Sequence, residues 1–238
     1  MNKKVFVLLS LPFVLASCHG QAISRETAKE ILAHIEEVND DDEHMPFSVF
    51  TLLVTTDEEA NKGEQKHFYS IPDRYYHSYT CLNGAVSEEW NYVQADADGV
   101  DHIYNVIRIV DKDINEETAP RYATTTTDYT DEAWEEMHNH YARILLSQTT
   151  SIISSLKAYL ESEVEDESTL VLESYGSDAL YAKRTIVDES NKVIYEKEAE
   201  FEDNNLVKYS FKSTGNPQRN RSYSVSYSSV EIFYPKIN

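Results

Sequence analysis

The feature that most constrains the fold of this chain is a pattern of short alternating segments that occurs twice along the sequence. From Tyr195 to Phe201, every second residue is a glutamate, and residues 222–228 alternate serine with tyrosine and valine. A period of two is typical of antiparallel strands that bury one face and expose the other. Asn83-Gly84 and Asp98-Gly99 are strong hairpin signals, because type I′ turns need positive φ. The sequence therefore predicts two consecutive antiparallel meanders.

Ten strands are predicted, five in each meander. The first strand is apolar on both faces, so it is expected to be buried on both sides. The predicted strands span about 47–56, 66–71, 74–82, 85–96, 100–111, 169–175, 179–188, 192–202, 205–213 and 221–234.

Two helices are predicted, and each precedes one of the meanders. Residues 24–38 carry an apolar stripe at helical spacing that includes Ile31, Leu32 and Ile35. Residues 131–164 carry a second, longer helical pattern. The hydroxyl-rich run 147–151 is expected to break it or to divide it into two packed helices, because hydroxyl side chains compete for backbone hydrogen bonds.

The connector 112–130 lies between the two halves of the chain and is rich in threonine. It is predicted to be a surface loop, with a flexible stalk as the alternative. A shift of 105 residues aligns the two meanders, matching Trp90 with Tyr195 and Tyr104 with Tyr209. Residues 24–238 are expected to form a single domain. Two related halves, 24–118 and 131–238, are a further possibility.

Composition excludes several classes of protein. The 41% of hydrophobic residues suffices for a real core, and 17 tyrosines argue against disorder. The net charge of −21 argues against a nucleic-acid partner, because phosphate binding needs clustered positive charge.

The first twenty residues predict where the protein is located. Lys3 and Lys4 precede an apolar run, 5–16, that is too short to span a bilayer as a helix. The run ends in Leu15-Ala16-Ser17-Cys18, which resembles the lipobox of bacterial lipoproteins. That resemblance implies a signal peptide over 1–17, lipidation of Cys18 and a tether over 18–23. An ordinary secretory signal with an incidental cysteine is the alternative.

The lipobox also implies a location and a membrane partner. The chain is expected to be anchored by acyl groups at the extracytoplasmic face of the cell membrane. In a host with two membranes it would be on the outer membrane or face the periplasm.

The order of the predicted elements, a helix and five strands followed by a helical segment and five strands, is similar to that of the LolA/LppX-like lipoprotein carriers. The resemblance implies an α+β fold. In it, a strongly curved antiparallel sheet of about ten strands forms a half-barrel, and helices cover its concave face. In that family the cavity holds acyl chains.

The residues predicted to contact a ligand are aromatic. Trp90, Tyr92 and Tyr104 lie on neighbouring predicted strands, and Trp134 lies on the long helix. Aromatic residues on strands usually serve the core, and the alternative is a pocket for lipid or sugar. No catalytic residue, metal site or cofactor is predicted, because hydrolase, metalloprotease and nucleotide-binding motifs are absent from the sequence.

Three weaker candidate groups have simpler explanations. Glu135, His138 and His140 are predicted to be solvated helix positions, and Asp96 with its acidic neighbours a hairpin turn. Cys81 is predicted to be a small strand residue.

The sequence thus favours a non-enzymatic, membrane-tethered lipoprotein that binds or carries an apolar or amphiphilic ligand. The alternative is a surface protein that binds another protein through an acidic, tyrosine-rich face.

Overall fold

A computed structural model describes residues 20–40, 47–57, 62–110, 121–162, 168–215, 217, 220–228, 230 and 232–235. The predicted signal peptide and the lipidation of Cys18 lie outside these residues. Within them, no helix is both long enough and apolar enough to cross a membrane.

The structure contains two helices, α1 (Arg25–Asn39) and α2 (Asp131–Glu161). The strands are β1 (Gln21–Ala22), β2 (Val49–Asp57), β3 (Lys62–Ser70), β4 (Tyr75–Leu82), β5 (Ala85–Ala95), β6 (Asp101–Val110), β7 (Arg121–Asp128), β8 (Ser168–Ser174), β9 (Leu180–Val187), β10 (Val193–Glu202), β11 (Asn205–Ser213) and β12 (Arg221–Ser226).

The strands form one antiparallel sheet in the order β1-β8-β9-β10-β11-β12-β2-β3-β4-β5-β6-β7. The two meanders, β2–β7 and β8–β12, join where β12 pairs with β2, and the sheet is unclosed, with β1 and β7 at its edges. An α+β fold built on a large antiparallel sheet is therefore confirmed.

The sheet has more strands than predicted. Residues 121–128, predicted to be a loop, form β7, because consecutive β-branched threonines favour a strand once β6 offers a free edge. Residues Gln21 and Ala22 of the predicted tether pair with β8. The final strand ends at Ser226 rather than near residue 234.

The expected break in the second helix is wrong, because α2 runs continuously from Asp131 to Glu161. The hydroxyl of Thr149 donates to the carbonyl of Leu145 at 3.0 Å, and that of Ser147 donates to Ile144 at 3.0 Å. These bonds to the preceding turn let hydroxyl side chains remain inside a helix.

Two tight hairpins have consecutive positive φ angles, and the sequence predicted the one at Asn83-Gly84. Asn83 and Gly84 have φ values of 51° and 86°, and Asp203 and Asn204 have φ values of 47° and 62°. Two consecutive positive φ angles match the twist of the flanking strands. These turns fix the β4–β5 and β10–β11 registers, and hence which side chains share a face.

One face of the sheet packs against α2, and we call it the helix face. On it, Tyr76 stacks on Tyr141 of α2 with ring centres 3.5 Å apart. The main core lies here and includes fully buried residues from both helices and both meanders. Among these are Leu32, Ile35, Phe50, Leu145, Ile153, Phe201 and Leu206.

The other side of the sheet, which we call the opposite face, has a smaller cluster of its own. Tyr75, Trp90, Tyr92 and Val106 are buried there, with Val230 and Ile232 of the C-terminal segment packed against them. Val230 and Ile232, which follow β12 in the sequence, therefore lie against this face.

Candidate ligand-binding clefts

Three of the predicted ligand residues come together, but on the opposite face. Trp90 stacks on His77 with ring centres 4.7 Å apart, and Tyr92 stacks on Tyr104 at 5.3 Å. Tyr234 contacts the ring of Tyr92 edge-on at 4.9 Å. Trp90 and Tyr92 are each only 3% exposed, so they form a filled aromatic layer.

The fourth predicted residue is separate from the other three. Trp134 lies in the first turn of α2 and is buried. Among the described residues, no ring contact joins it to Trp90, Tyr92 or Tyr104.

A closed polar network connects α2 to the first meander on the helix face. One carboxylate oxygen of Glu89 accepts hydrogen bonds from the Tyr141 hydroxyl at 3.0 Å, Asn91 Nδ2 at 3.0 Å and Asn105 Nδ2 at 2.9 Å. Burial raises the pKa of Tyr141 well above its usual range, so its hydroxyl remains a donor. Because these groups satisfy one another, the network positions the helix.

Space for a ligand occurs further along α2. A cleft of about 440 Å³, which we call the cation cleft, lies between the middle of α2 and strands β10–β12. Its lining residues are Gln148, Ser151, Ile152 and Ser155 from the helix and Tyr195, Lys197, Tyr209, Phe211, Arg221 and Tyr223 from the sheet.

A neighbouring cleft of about 480 Å³ lies between α2 and strands β2–β4 and β12. Gln148, Arg221 and Tyr223 line both clefts. The Tyr223 hydroxyl donates to Gln148 Oε1 at 3.1 Å, so this pair forms the partition between the two spaces. The other residues that line the neighbouring cleft are Leu52, Val54, Thr56, Gln65, His67, Leu82 and Ile144.

The strand register explains why cations line the cation cleft. Arg184 pairs with Lys197, Lys197 with Phe211, and Phe211 with Arg221. These four residues form one row across the helix face, because directly paired residues point to the same side of a sheet.

Each cation in this row has a different environment. The guanidinium of Arg184 lies over the ring of Tyr159, 4.2 Å from its centre. Lys197 Nζ donates to the hydroxyl of Ser155. Burial, and secondly the charge of Arg184, lower the pKa of the Lys197 ammonium. Arg221 is exposed.

Tyr195 and Tyr209 of the cation cleft are protonated at neutral pH. Burial raises the pKa of Tyr209 to about 12, with a smaller contribution from Tyr223. Burial is also the main cause of the raised pKa of Tyr195. The cleft therefore presents hydroxyls, aromatic rings and cations.

A larger cavity of about 810 Å³ lies at the ends of β10, β11 and β12. It shares Tyr195, Phe211 and Arg221 with the cation cleft. Its wall also includes Glu196 and Lys212, which the register places on the opposite face. It therefore extends around the ends of the strands.

The acidic and histidine-rich candidates take part in local contacts. His138 Nδ1 is 2.8 Å from the hydroxyl of Tyr69. The carboxylate of Asp96 accepts from the backbone N–H groups of Asp98 and Val100, both at 2.9 Å, which closes the β5–β6 turn. In the described part of the chain, no three metal-ligating side chains form a group that could hold an ion.

No protein-family model and no curated protein matches this chain. Its function must therefore be inferred from the residues themselves. Sequence reasoning missed the cation cleft because no local pattern shows that Lys197 and Arg221 lie on one cross-strand row. One usable signal was present, since residues 137–160 contain no aspartate or glutamate in a chain with 42 acidic residues.

Proposed function

We propose that this protein is a non-enzymatic, membrane-tethered lipoprotein that binds or carries an apolar or amphiphilic ligand in the clefts between α2 and the sheet. Acyl groups on Cys18 would hold it at the extracytoplasmic face of the membrane. Its unclosed antiparallel sheet is the part of the carrier architecture on which the proposal builds.

In this proposal the sheet is a half-barrel and the helices cover its concave face. Adjacent strands are rotated by roughly 20–25° relative to one another, so a sheet of this many strands tends to curl. The helix face would then be the inner surface. The two clefts would be the part of that surface that helix side chains leave unfilled.

The observation that carries the proposal is the pair of clefts meeting at Gln148, Arg221 and Tyr223. Their volumes of about 440 and 480 Å³ lie in the range of small-molecule sites, roughly 300–1,000 Å³. Aromatic walls with a few polar groups are also typical of such sites.

Blocking the cation cleft tests the proposal. Ser151 is exposed and lines this cleft, so Ser151→Trp should fill it. Ser154 is exposed on the same helix and lines neither cleft, so Ser154→Trp is the matched control. The expected result is an amphiphile-induced rise in Tm for wild type and Ser154→Trp that is lost in Ser151→Trp, because ligand binding to the native state stabilises it.

Native mass spectrometry of protein purified from its own membrane provides an independent measurement. Co-purified lipid in wild type, absent from Ser151→Trp, is the expected result. If a panel of phospholipids, fatty acids and lysolipids gives neither a Tm shift nor a bound mass, the binding proposal fails and the protein-partner hypothesis takes its place.

Lipidation requires a separate test. Cys18→Ser should abolish incorporation of labelled palmitate and release the protein from the membrane fraction. Continued labelling of Cys18→Ser would show that the lipobox interpretation is wrong.

A further inference from the structure

We infer that the ligand of the cation cleft is an anionic amphiphile, whose phosphate or carboxylate group is held by Lys197 and Arg221. This inference rests on the proposed function and specifies the chemical class of the ligand.

The first argument is the alignment of positive charge. Arg184, Lys197 and Arg221 lie on one cross-strand row, in which Phe211 separates Arg221 from Lys197. Arg184 and Lys197 are on neighbouring strands, which are roughly 4.8 Å apart. Like charges at that spacing repel one another unless an anion lies between or beside them. A bound oxyanion would remove that repulsion.

The second argument is the absence of a carboxylate that could neutralise the row. Among the residues that the structure describes, no aspartate or glutamate lines the cation cleft or its neighbour. Residues 137–160 of α2, which form the other wall, contain none. Among the described residues, no carboxylate forms an ion pair with Arg184, Lys197 or Arg221.

The third argument is that the same strands do pair their cations on the opposite face. Lys183 of β9 lies 2.9 Å from Glu196, and Lys208 of β11 lies 2.7 Å from Glu198. Glutamates are therefore available in these strands but alternate onto the other side. On the helix face, the cations of the row are therefore available to bind an anion.

The cleft also supplies the hydrogen-bond donors that an oxyanion needs. The planar guanidinium of Arg221 offers several N–H donors. The ammonium of Lys197 has two N–H donors besides the one that bonds to Ser155. Ser151 lines the helix side of the same cleft and carries a further hydroxyl donor. An anionic group would therefore receive charge-assisted hydrogen bonds from two strands.

The remaining lining accounts for an apolar chain on that anion. Ile152 and Phe211 belong to the cation cleft. Beyond the Gln148–Tyr223 partition, Leu52, Val54 and Ile144 line the neighbouring cleft. A headgroup at Arg221 would have an apolar path available on either side of the partition.

The test uses calorimetry on the full chain carrying Cys18→Ser, in detergent-free buffer. The probes are dodecyl phosphate, dodecanoate, uncharged monododecanoyl glycerol and inorganic phosphate. Wild-type clefts should bind the two anionic amphiphiles on the order of tenfold more tightly than the uncharged one, because charge-assisted hydrogen bonds are the stronger ones. Raising the ionic strength should reduce that preference.

Three variants localise the effect. Arg221→Met and Lys197→Met should each weaken binding of the anionic amphiphiles on the order of tenfold and leave the uncharged probe unchanged. Arg221→Lys should retain part of the preference, because it keeps the charge but loses the planar guanidinium. Lys208→Met is the matched control, because it removes one positive charge from the opposite face of the same sheet.

The outcomes separate this inference from the proposed function. If charged and uncharged amphiphiles bind equally, or if Lys208→Met costs as much as Arg221→Met, the headgroup assignment is overturned while the carrier proposal stands. If no amphiphile binds, both are overturned. If inorganic phosphate binds as tightly as dodecyl phosphate, the anion site is supported and the apolar chain is not part of its ligand.

Discussion

The two faces of the sheet use the same kinds of residue for different purposes. On the opposite face, Lys183 donates a hydrogen bond to Glu196 and Lys208 donates one to Glu198, and these bonds raise the pKa values of the two lysines. On the helix face, burial lowers the pKa of Lys197, and no carboxylate pairs with it in the described part of the chain. The aromatic residues differ as well. Trp90 and Tyr92 are packed into a layer, whereas Tyr195 and Tyr209 line open space.

This difference shows that residue type alone does not identify a site. A tryptophan beneath a crossing segment contributes to stability, and a tyrosine beside a cleft is free to contact a ligand. The comparison makes four predictions about stability, which run from the largest expected effect to the smallest.

Removing the central ring of the opposite face should have the largest effect. Trp90→Ala is expected to lower the free energy of unfolding by about 3–5 kcal/mol, because a large buried ring is lost and the cavity cannot fully collapse. Urea denaturation measures this value. Ligand affinity in the cation cleft should be unaffected. A stable Trp90→Ala protein that no longer binds amphiphiles would reverse the roles assigned to the two faces.

Truncating the helix-side core should have a similar or smaller effect. Leu32 of α1 is fully buried, so Leu32→Ala should cost about 2–5 kcal/mol in the same assay. Glu30→Ala, at an exposed position of the same helix, is the control. A loss below about half a kcal/mol would mean that α1 is peripheral to the fold.

Acid should weaken the opposite face selectively through His77. Its ring lies between Phe68 and Trp90, and burial, with a smaller contribution from His67, lowers its pKa to about 4. The unfolded chain therefore binds the proton more readily. Stability is retained above about pH 6.5 and is lost as the pH falls towards 4, by up to about 3 kcal/mol.

The control for this prediction replaces the imidazole with another flat ring. His77→Phe should keep the stack and remove this part of the pH dependence, as measured by urea denaturation at a series of pH values. Glu88, whose Oε1 is 3.6 Å from His77 Nε2, also pairs with Arg108 and remains in both proteins. An identical pH profile in wild type and His77→Phe would show that His77 does not titrate in this range.

Single surface cations should have the smallest effect on stability. Lys208→Met breaks an ion pair whose lysine is exposed and should cost less than about 1 kcal/mol. Arg221→Met removes an exposed charge with no ion-pair partner among the described residues, so the free energy of unfolding should stay within about half a kcal/mol. A large loss in Arg221→Met would mean that this side chain is structural, in contrast to its proposed role in ligand binding.

Strands and turns were predictable because their signals are local. Asn83-Gly84 fixes a hairpin by its backbone angles, and the glutamates of β10 fix a period of two. The face that the helices cover is not a local property. Trp90 was expected to line the ligand cavity, but Val230, Ile232 and Phe233, which were predicted to belong to the final strand, pack against its cluster.

The suggested internal repeat also shows that local spacing does not determine which face of the sheet a residue occupies. The 105-residue offset matches Trp90 with Tyr195 and Tyr104 with Tyr209. Trp90 and Tyr104 lie on the opposite face, whereas Tyr195 and Tyr209 lie on the helix face. Moving a strand by one residue exchanges its two faces, so matched spacing does not guarantee matched environments. The two related halves remain a prediction.

The pairing of β12 with β2 affects the stage at which the sheet can be completed during folding. Val54 pairs with Tyr223, so the middle of the sheet depends on a strand near the C-terminus. Until that strand is available, β2 has an unpaired edge, and contacts between distant segments form slowly. If the chain is exported from its N-terminus, as proposed, it cannot complete this sheet until β12 has crossed. Chaperone protection of the β2 edge would matter most in that interval.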